Sequence, residues 1–422
     1  MGRRLLLAGA YHGQNKGDEL VFAALRGELA EICPDARLDV MSTDPAYFAE
    51  RYGVDAFQAR RPLALWKKLR LADAVILGGG GILFDAGSLD TLRVVGQSQL
   101  LVWTMLTRLA AMLGKPVLWY ELGVGPLRSS LAAGLVRTAA RRTAGIVLRD
   151  SESAQVLGSL GVRDFLLGAD PVWSVPLPRG SLPPDMPTEY DLVVVRHWKG
   201  LEDGQVLVRL LRAVARRGLP VVVTVTNPLR DRAFASRLCE CAGPAVLCRP
   251  LDSGSSPSAL VEMVRRARTV YSMRMHALIV AARQGVLCVG LQYRTPKVWA
   301  CMADIGCGEQ CIDLEDPASA RALEEQVAAV EARGADESAL ELLRLRGQTG
   351  RDELARFVRL VAGVSGAGTP ASRCLRNAGQ WRPGHTGRHR LDCAPPFVPP
   401  DRDRRRRRRP RSRWPPGSSS AA

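Results

Sequence analysis

The stretch from Val270 to Lys297, VYSMRMHALIVAARQGVLCVGLQYRTPK, gathers two cations and a histidine in a pattern suited to handling a phosphate or carboxylate. Arg274 and Lys297 can make charge-assisted bonds to an anion, and His276 is the side chain best matched to moving a proton near neutral pH. The residue order predicts a short strand (Thr269 to Ser272), a tight turn with Arg274 and His276, and a helix to Arg283 ended by Gly285. An apolar strand (Val286 to Leu291) and a loop holding Lys297 follow. In an open α/β sheet, ligands sit beyond the carboxyl ends of strands, where the free N–H groups of a helix start favour an anion. An R-x-H triplet alone is equally well explained by solvated cations and a capping histidine.

Other strand-end loops carry related groups. Gly13-Gln14-Asn15-Lys16-Gly17-Asp18-Glu19 joins the first strand to the first helix and is expected to turn its Asn, carboxylates and backbone N–H groups toward a cleft. Its spacing is neither a dinucleotide fingerprint nor a P-loop, so no nucleotide follows from it. The glycines at 78 to 81 permit positive φ and close approach by a ligand, or form a plain turn. Arg149, in Leu148-Arg149-Asp150-Ser151, can reach an anion or pair with Asp150, and Asp170, in Gly168-Ala169-Asp170-Pro171, is a candidate base.

These loops need a scaffold, and the hydrophobic pattern supplies one. Strands are expected at Arg4 to Ala10, Arg37 to Ser42, Ala74 to Leu77, Pro116 to Tyr120 and Ala144 to Leu148, alternating with helices at Glu19 to Ile32, Ser98 to Leu113 and Ser129 to Arg142 and one capped by Ser151. Pro176 to Pro187, dense in proline, interrupts the alternation. It then resumes with strands at Asp191 to Arg196, Pro220 to Thr226 and Ala245 to Leu247, and helices at Asp203 to Arg217, Arg230 to Cys241 and Pro257 to Arg266. Helical segments at Ala318 to Glu331 and Glu337 to Val361 close the pattern. Such alternation implies parallel sheets covered on both faces. The fold class expected is therefore α/β with two Rossmann-like domains: 1–175, a linker at 176–187, and 188–362, with a cleft between them and a disordered basic tail at 363–422.

The chain has 422 residues, a hydrophobic content of 46% and a formal charge of +17. Residues 366–422 hold fourteen Arg against three Asp, which leaves only +6 for the rest. The tail, with Arg404 to Arg409 in one block and many prolines, is expected to be disordered. It could hold an anionic membrane, where each basic residue contributes about 1 kcal/mol, or merely trail the folded part. Nucleic acid is disfavoured, because Trp381 and Trp414 stand alone among the cations. The ten cysteines lack paired metal-ligand spacing, Cys239 with Cys241 and Cys307 with Cys311 included, and point to a reducing compartment and no bound metal. Leu5 to Ala10 is too short for a leader, and Arg108 and Lys115 interrupt the apolar run from Leu100 to Leu122. A cytoplasmic protein, at most on the inner membrane face, is expected.

Taken together, six motifs in order resemble the polysaccharide pyruvyl transferase family, in its branch that acts on cell-wall polymers. They are Asn15-x-Gly17-Asp18-Glu19; Gly78-Gly79-Gly80 followed by Asp85; Gly123-x-Gly125-Pro126; Arg149-Asp150-x-x-Ser153; Asp170-Pro171; and Arg274-x-His276-Ala277-Leu278 followed by Lys297-Val298. The loop Gln292-Tyr293-Arg294-Thr295-Pro296-Lys297 departs from the more usual Tyr-Asp-Pro-Lys and is one residue longer. Tyr11-His12 and Gln14 also depart from the usual first loop.

The resemblance implies a GT-B-like fold and transfer of the pyruvyl unit of phosphoenolpyruvate onto two sugar hydroxyls as a ketal, with no metal or other cofactor. It implies a donor site at Arg274 and Lys297 of the second domain together with Arg149 of the first, and an acceptor site at Asn15, Gly17, Glu19, Gly79 and Gly80 in the first. His276 would act as acid or stabilise the departing phosphate, and Asp18, Glu19 or Asp170 would act as base. The acceptor would be a sugar or lipid-linked glycan. Two other readings remain at this stage: a glycosyltransferase or sugar epimerase using a nucleotide sugar, and a non-catalytic protein binding glycan or nucleic acid.

Overall fold

The computed structural model describes residues 2–13, 15–58, 61–85, 100–198, 201, 204–293, 297–316, 322–329 and 335–363. The basic segment 366–422, Gln14, Asp203, Arg294 and Thr295, all used in the reading above, lie outside the described residues.

Two parallel sheets form the scaffold. In the first, β1 (Arg4–Ala8), β2 (Arg37–Met41), β3 (Asp55–Phe57), β4 (Ala74–Leu83), β5 (Val117–Val124), β6 (Gly145–Leu148) and β7 (Leu166–Leu167) lie in the order β3-β2-β1-β4-β5-β6-β7. In the second, β8 (Asp191–Val194), β9 (Val221–Thr224), β10 (Val246–Cys248), β11 (Thr269–Ser272), β12 (Leu287–Gln292) and β13 (Cys311–Asp313) lie in the order β10-β9-β8-β11-β12-β13. Strands buried on both faces must be apolar throughout, which is why Leu5–Leu6–Leu7 and Val221–Val222–Val223 read as unbroken runs.

Helices α1 (Lys16–Ile32), α2 (Pro45–Tyr52), α3 (Pro62–Leu71), α4 (Leu100–Met112), α5 (Ser130–Ala140) and α6 (Ser151–Ser159) accompany the first sheet. Alternate residues of its strands feed separate cores: Leu6, Val75 and Trp119 meet Trp103 and Leu106 of α4, while Leu5, Leu7 and Ile76 meet Phe22 and Leu25 of α1. The second sheet carries α7 (Gln205–Ala215), α8 (Pro228–Ala242), α9 (Pro257–Arg266), α10 (Met275–Arg283), α11 (Lys297–Asp304) and α12 (Leu323–Ala329). Leu207, Leu210, Leu211 and Val214 form the buried face of α7, as their spacing predicts.

Three local expectations change. Asn15 caps α1 and accepts from the Gly17 N–H, so the helix begins at Lys16 and Gly17, Asp18 and Glu19 lie in its first turn, not in a loop. The glycines after Leu77 do not turn: Gly80 and Gly81 pair with Leu122 and Gly123, which extends β4 to Leu83. The last helix, α13 (Glu337–Val361), was expected to belong to the second domain, 188–362. Leu340 and Leu343 do pack in the second core, but Leu354, Phe357 and Val358 lie in the core of the first sheet. At about 1.5 Å per residue a helix of 25 residues is long enough to serve both.

The carboxyl edges of the sheets meet at the start of α1. The Lys16 N–H donates to the Thr226 carbonyl at 2.8 Å, and Lys16 Nζ donates to the Ser253 carbonyl at 2.9 Å. No helix among the described residues is long and apolar enough to cross a membrane.

Candidate active site

Arg149 leaves the end of β6 and is almost fully buried. Its Nε donates to Asp150 Oδ2 at 3.0 Å and its Nη1 to Asp170 Oδ2 at 3.5 Å. Asp150 is fixed in turn, because it caps α6 and accepts from the Ser153 N–H at 2.8 Å. Burial pulls the guanidinium toward neutrality, but Asp150 and Asp170 more than restore its charge.

Lys297, the first residue of α11, comes from the other sheet and ends beside Arg149. Gly81 makes the meeting physical: a Cβ there would lie 2.9 Å from Arg149 Nη2 and 3.1 Å from Lys297 Nζ. Any side chain at position 81 would displace one of the cations, and a side chain at 123 would crowd Arg149 in the same way. Lys297 Nζ stands 4.4 Å from the centre of the Phe84 ring and has no carboxylate within ion-pair distance among the described residues. Burial, reinforced by Arg149, lowers its pKa to about 8.

A cavity opens over this pair, between β4, β5 and α6 on one side and α10 and α11 on the other. Lys297, Ala300, Cys301 and Asp304 line it at i, i+3, i+4 and i+7, so one stripe of α11 forms a wall. Asp304 is half-buried, and burial followed by the nearby Asp150 raises its pKa to about 7. Glu152 also lines the cavity and is raised, by burial and then by Asp150.

Asp170 separates this cavity from a second group of expected site residues. Its Oδ2 lies 3.5 Å from His276 Nε2, an electrostatic contact whose geometry does not close a hydrogen bond. Burial pushes the Asp170 carboxyl up, but His276, Arg149 and the Val172 N–H outweigh it and hold the group below its ordinary value. The His276 ring is pressed on the start of α1: a Cβ at Gly17 would lie 2.6 Å from Nδ1. Asn15 Nδ2 donates to Asp18 Oδ2 at 2.7 Å in the same turn. Asn15, Gly17, Asp18, Asp170 and His276 thus form one corner, although His276 does not itself line the cavity.

Three expected site residues are engaged elsewhere. Arg274, the residue before α10, donates to Asp231 and lies near Arg196, which donates to Tyr293 Oη at 2.9 Å. It does not line the cavity of Arg149 and Lys297. Burial and the neighbouring Arg196 lower its pKa, against the opposing pull of Asp231. It supplies no side-chain cap to α10, whose Ala277 N–H donates instead to the Arg274 carbonyl at 3.2 Å. Glu19 is fully buried under Lys16, Tyr47, Tyr52 and Arg51, whose donors all converge on it at 2.7 to 3.1 Å. Fully buried beneath these donors, it anchors the first helix and is closed off from an acceptor. Gly79, at φ +75°, admits Val21 of α1, which a Cβ there would strike at 2.1 Å; at Gly80, at φ +87°, a Cβ would meet only Ile82 Cγ2, at 4.0 Å.

The motifs thus converge where β4, β5, β6, α1, α10 and α11 meet. The model of the family described as polysaccharide pyruvyl transferase matches residues 15–295, two thirds of the chain, from the cap of α1 to just short of Lys297. The chain belongs to that family. Among curated proteins nothing matches significantly.

Solved structures place this family member among folds of GT-B type. UDP-N-acetylglucosamine 2-epimerase from Rickettsia bellii superposes with a TM-score of 0.54 at 12% identity, over 86% of this chain and 98% of its own. The UDP-GlcNAc 2-epimerase of Methanocaldococcus jannaschii gives 0.52 at 10% identity, over 85% and 99%. Anabaena Alr3699/HepE, in complex with UDP and glucose, gives 0.51 at 11%, over 85% and 100%. At such identities the likeness speaks for the fold.

Proposed function

We propose that the protein transfers the pyruvyl unit of phosphoenolpyruvate to two hydroxyls of one sugar in a polysaccharide precursor, forming a cyclic ketal and releasing phosphate. One observation carries the reading beyond the family: buried Arg149 and half-buried Lys297, cations from opposite halves, meet over Gly81, and Lys297 has no carboxylate within ion-pair distance among the described residues. Such a pair is stable with an anion between its members, and phosphoenolpyruvate, with a phosphate and a carboxylate, supplies one.

The reaction starts with protonation of the methylene carbon, which leaves positive charge on the neighbouring carbon. One sugar hydroxyl adds there and gives up its proton, and the C–O bond to phosphate breaks. The second hydroxyl closes the ketal. Of the two hydroxyl protons released, one balances that taken by the methyl group and the other leaves with phosphate. Arg149 and Lys297 hold the donor and stabilise the departing phosphate. Asp304, on the same stripe as Lys297 and protonated up to about pH 7, donates to the methylene carbon. His276, backed by Asp170 and next to Asp18, receives the acceptor proton, a reversal of the acid role expected for it from the sequence.

The test is phosphate release from phosphoenolpyruvate with a panel of ManNAc-, Gal- and Glc-containing acceptors. Acceptor-dependent release by the wild type that is lost in His276→Ala supports the transfer. Tight UDP binding, with no response to phosphoenolpyruvate, would move the protein to the nucleotide-sugar chemistry of its structural neighbours.

A further inference from the structure

The solvent face of α3 has the wrong composition for solvent. Leu69 is buried against the first sheet, and Leu65 and Ala64 pack beside it. The opposite face, at 63, 66, 67, 70 and 71, presents Leu63 at 85% exposure, Trp66 at 45% and Leu71 at 49%, interleaved with exposed Lys67 and Arg70. Arg61 stands exposed at the residue before the helix. No acidic residue occurs between Asp55 and Asp73. The nearest carboxylates are already engaged: Asp39 with Arg4 and Lys68, Asp55 with Lys68, and Asp73 with the Arg4 N–H. Arg61, Lys67 and Arg70 have no carboxylate partner among the described residues. Single exposed leucines are unremarkable on a soluble surface, but two leucines and a tryptophan on one acid-free cationic face are the composition of a helix lying in a lipid headgroup layer.

We propose that α3 docks the folded part of the protein on an anionic lipid surface, with Leu63, Trp66 and Leu71 entering the headgroup boundary and Arg61, Lys67 and Arg70 meeting lipid phosphates. Charge complementarity selects this occupant. A second copy docking through the same face would bring like charges together, and a nucleic acid would leave Leu63 and Leu71 in water. The helix also suits the position: it follows β3, so its first residues lie at the carboxyl edge of the sheet, the edge where Lys16 meets the second half. A lipid-linked acceptor would then be presented beside the cleft. The proposal goes beyond the transferase reading and does not depend on it.

The experiment is cosedimentation of the full-length chain with phosphatidylglycerol-containing vesicles, with pure phosphatidylcholine vesicles as control. The wild type is expected to partition onto the anionic vesicles, and Leu63→Ser with Trp66→Ser to lower the partition coefficient roughly tenfold or more with the Arg-rich tail intact. Lys67→Glu with Arg70→Glu is expected to do the same, and carries the test alone should the serine variant fail to fold. Partition of a folded variant equal to the wild type, or no partition of the wild type, would overturn the proposal, as would RNA binding that the same substitutions abolish while vesicle binding stays. Phosphate release with a soluble acceptor reports on the transfer separately, so the failure of either reading is visible by itself.

Discussion

Arg274 and Lys297 sit at the ends of successive strands of the second sheet, and both side chains are largely withdrawn from water. They differ in what surrounds them. Arg274 is neutralised by Asp231, itself fixed by the His197 N–H at 3.1 Å, whereas Lys297 faces Arg149 with no carboxylate within ion-pair distance among the described residues, Glu152 and Asp150 acting on it only from further off. A buried cation with a carboxylate partner supports the fold; one held against another cation has been left for a ligand to neutralise. The motif containing Arg274 is the easier to notice in the sequence, yet the cation without an ion-pair partner among the described residues is Lys297, the first residue of α11.

This contrast is breakable by substitution. Lys297→Met or Arg149→Met should lower kcat/KM for phosphoenolpyruvate about 10³-fold, the scale for removing a preorganised charge at a departing phosphate. Lys297→Met should leave the thermal midpoint unchanged or raise it, because an unpaired buried charge is removed. Arg274→Met should act on stability instead, lowering it by about 3 kcal/mol in denaturant unfolding, since Asp231 is left buried and unpaired. If Arg274→Met unfolds like the wild type and Lys297→Met is the destabilised one, the assignment is inverted.

Smaller effects sharpen the picture around His276. Gly17→Ala would push the imidazole off the start of α1, and kcat should fall about 10²-fold with little change in donor affinity. The pH dependence of donor binding should follow Lys297. Below about pH 8 the ammonium is charged; above it the free protein loses the charge, and the dissociation constant for phosphoenolpyruvate should rise up to about tenfold per pH unit, as calorimetry across that range would show.

Much of this arrangement was legible in residue order. Unbroken apolar strands and capped helices implied two facing parallel sheets, and six short motifs in sequence implied the family. What stayed hidden was tertiary in origin. The destination of the last helix depends on Leu354 and Phe357 finding the first sheet, which periodicity within the helix cannot specify. Glu19 reads as a cleft carboxylate until Tyr47, Tyr52 and Arg51 of α2 are folded over it. Gly81 reads as part of a possible turn, yet β4 runs through it and β5 through Gly123, and the missing side chains of both make room for Arg149. Asp304 was within reach, for it repeats the phase of Lys297 at i+7, but only with the start of α11 in hand.

The most direct test of the central claim is the calorimetric affinity of phosphoenolpyruvate for the wild type, Lys297→Met and Arg274→Met at neutral pH. Binding by the wild type that Lys297→Met abolishes, while folded Arg274→Met retains most of it, is the predicted result. Equal binding by Lys297→Met and the wild type would contradict the account and return the donor site to Arg274.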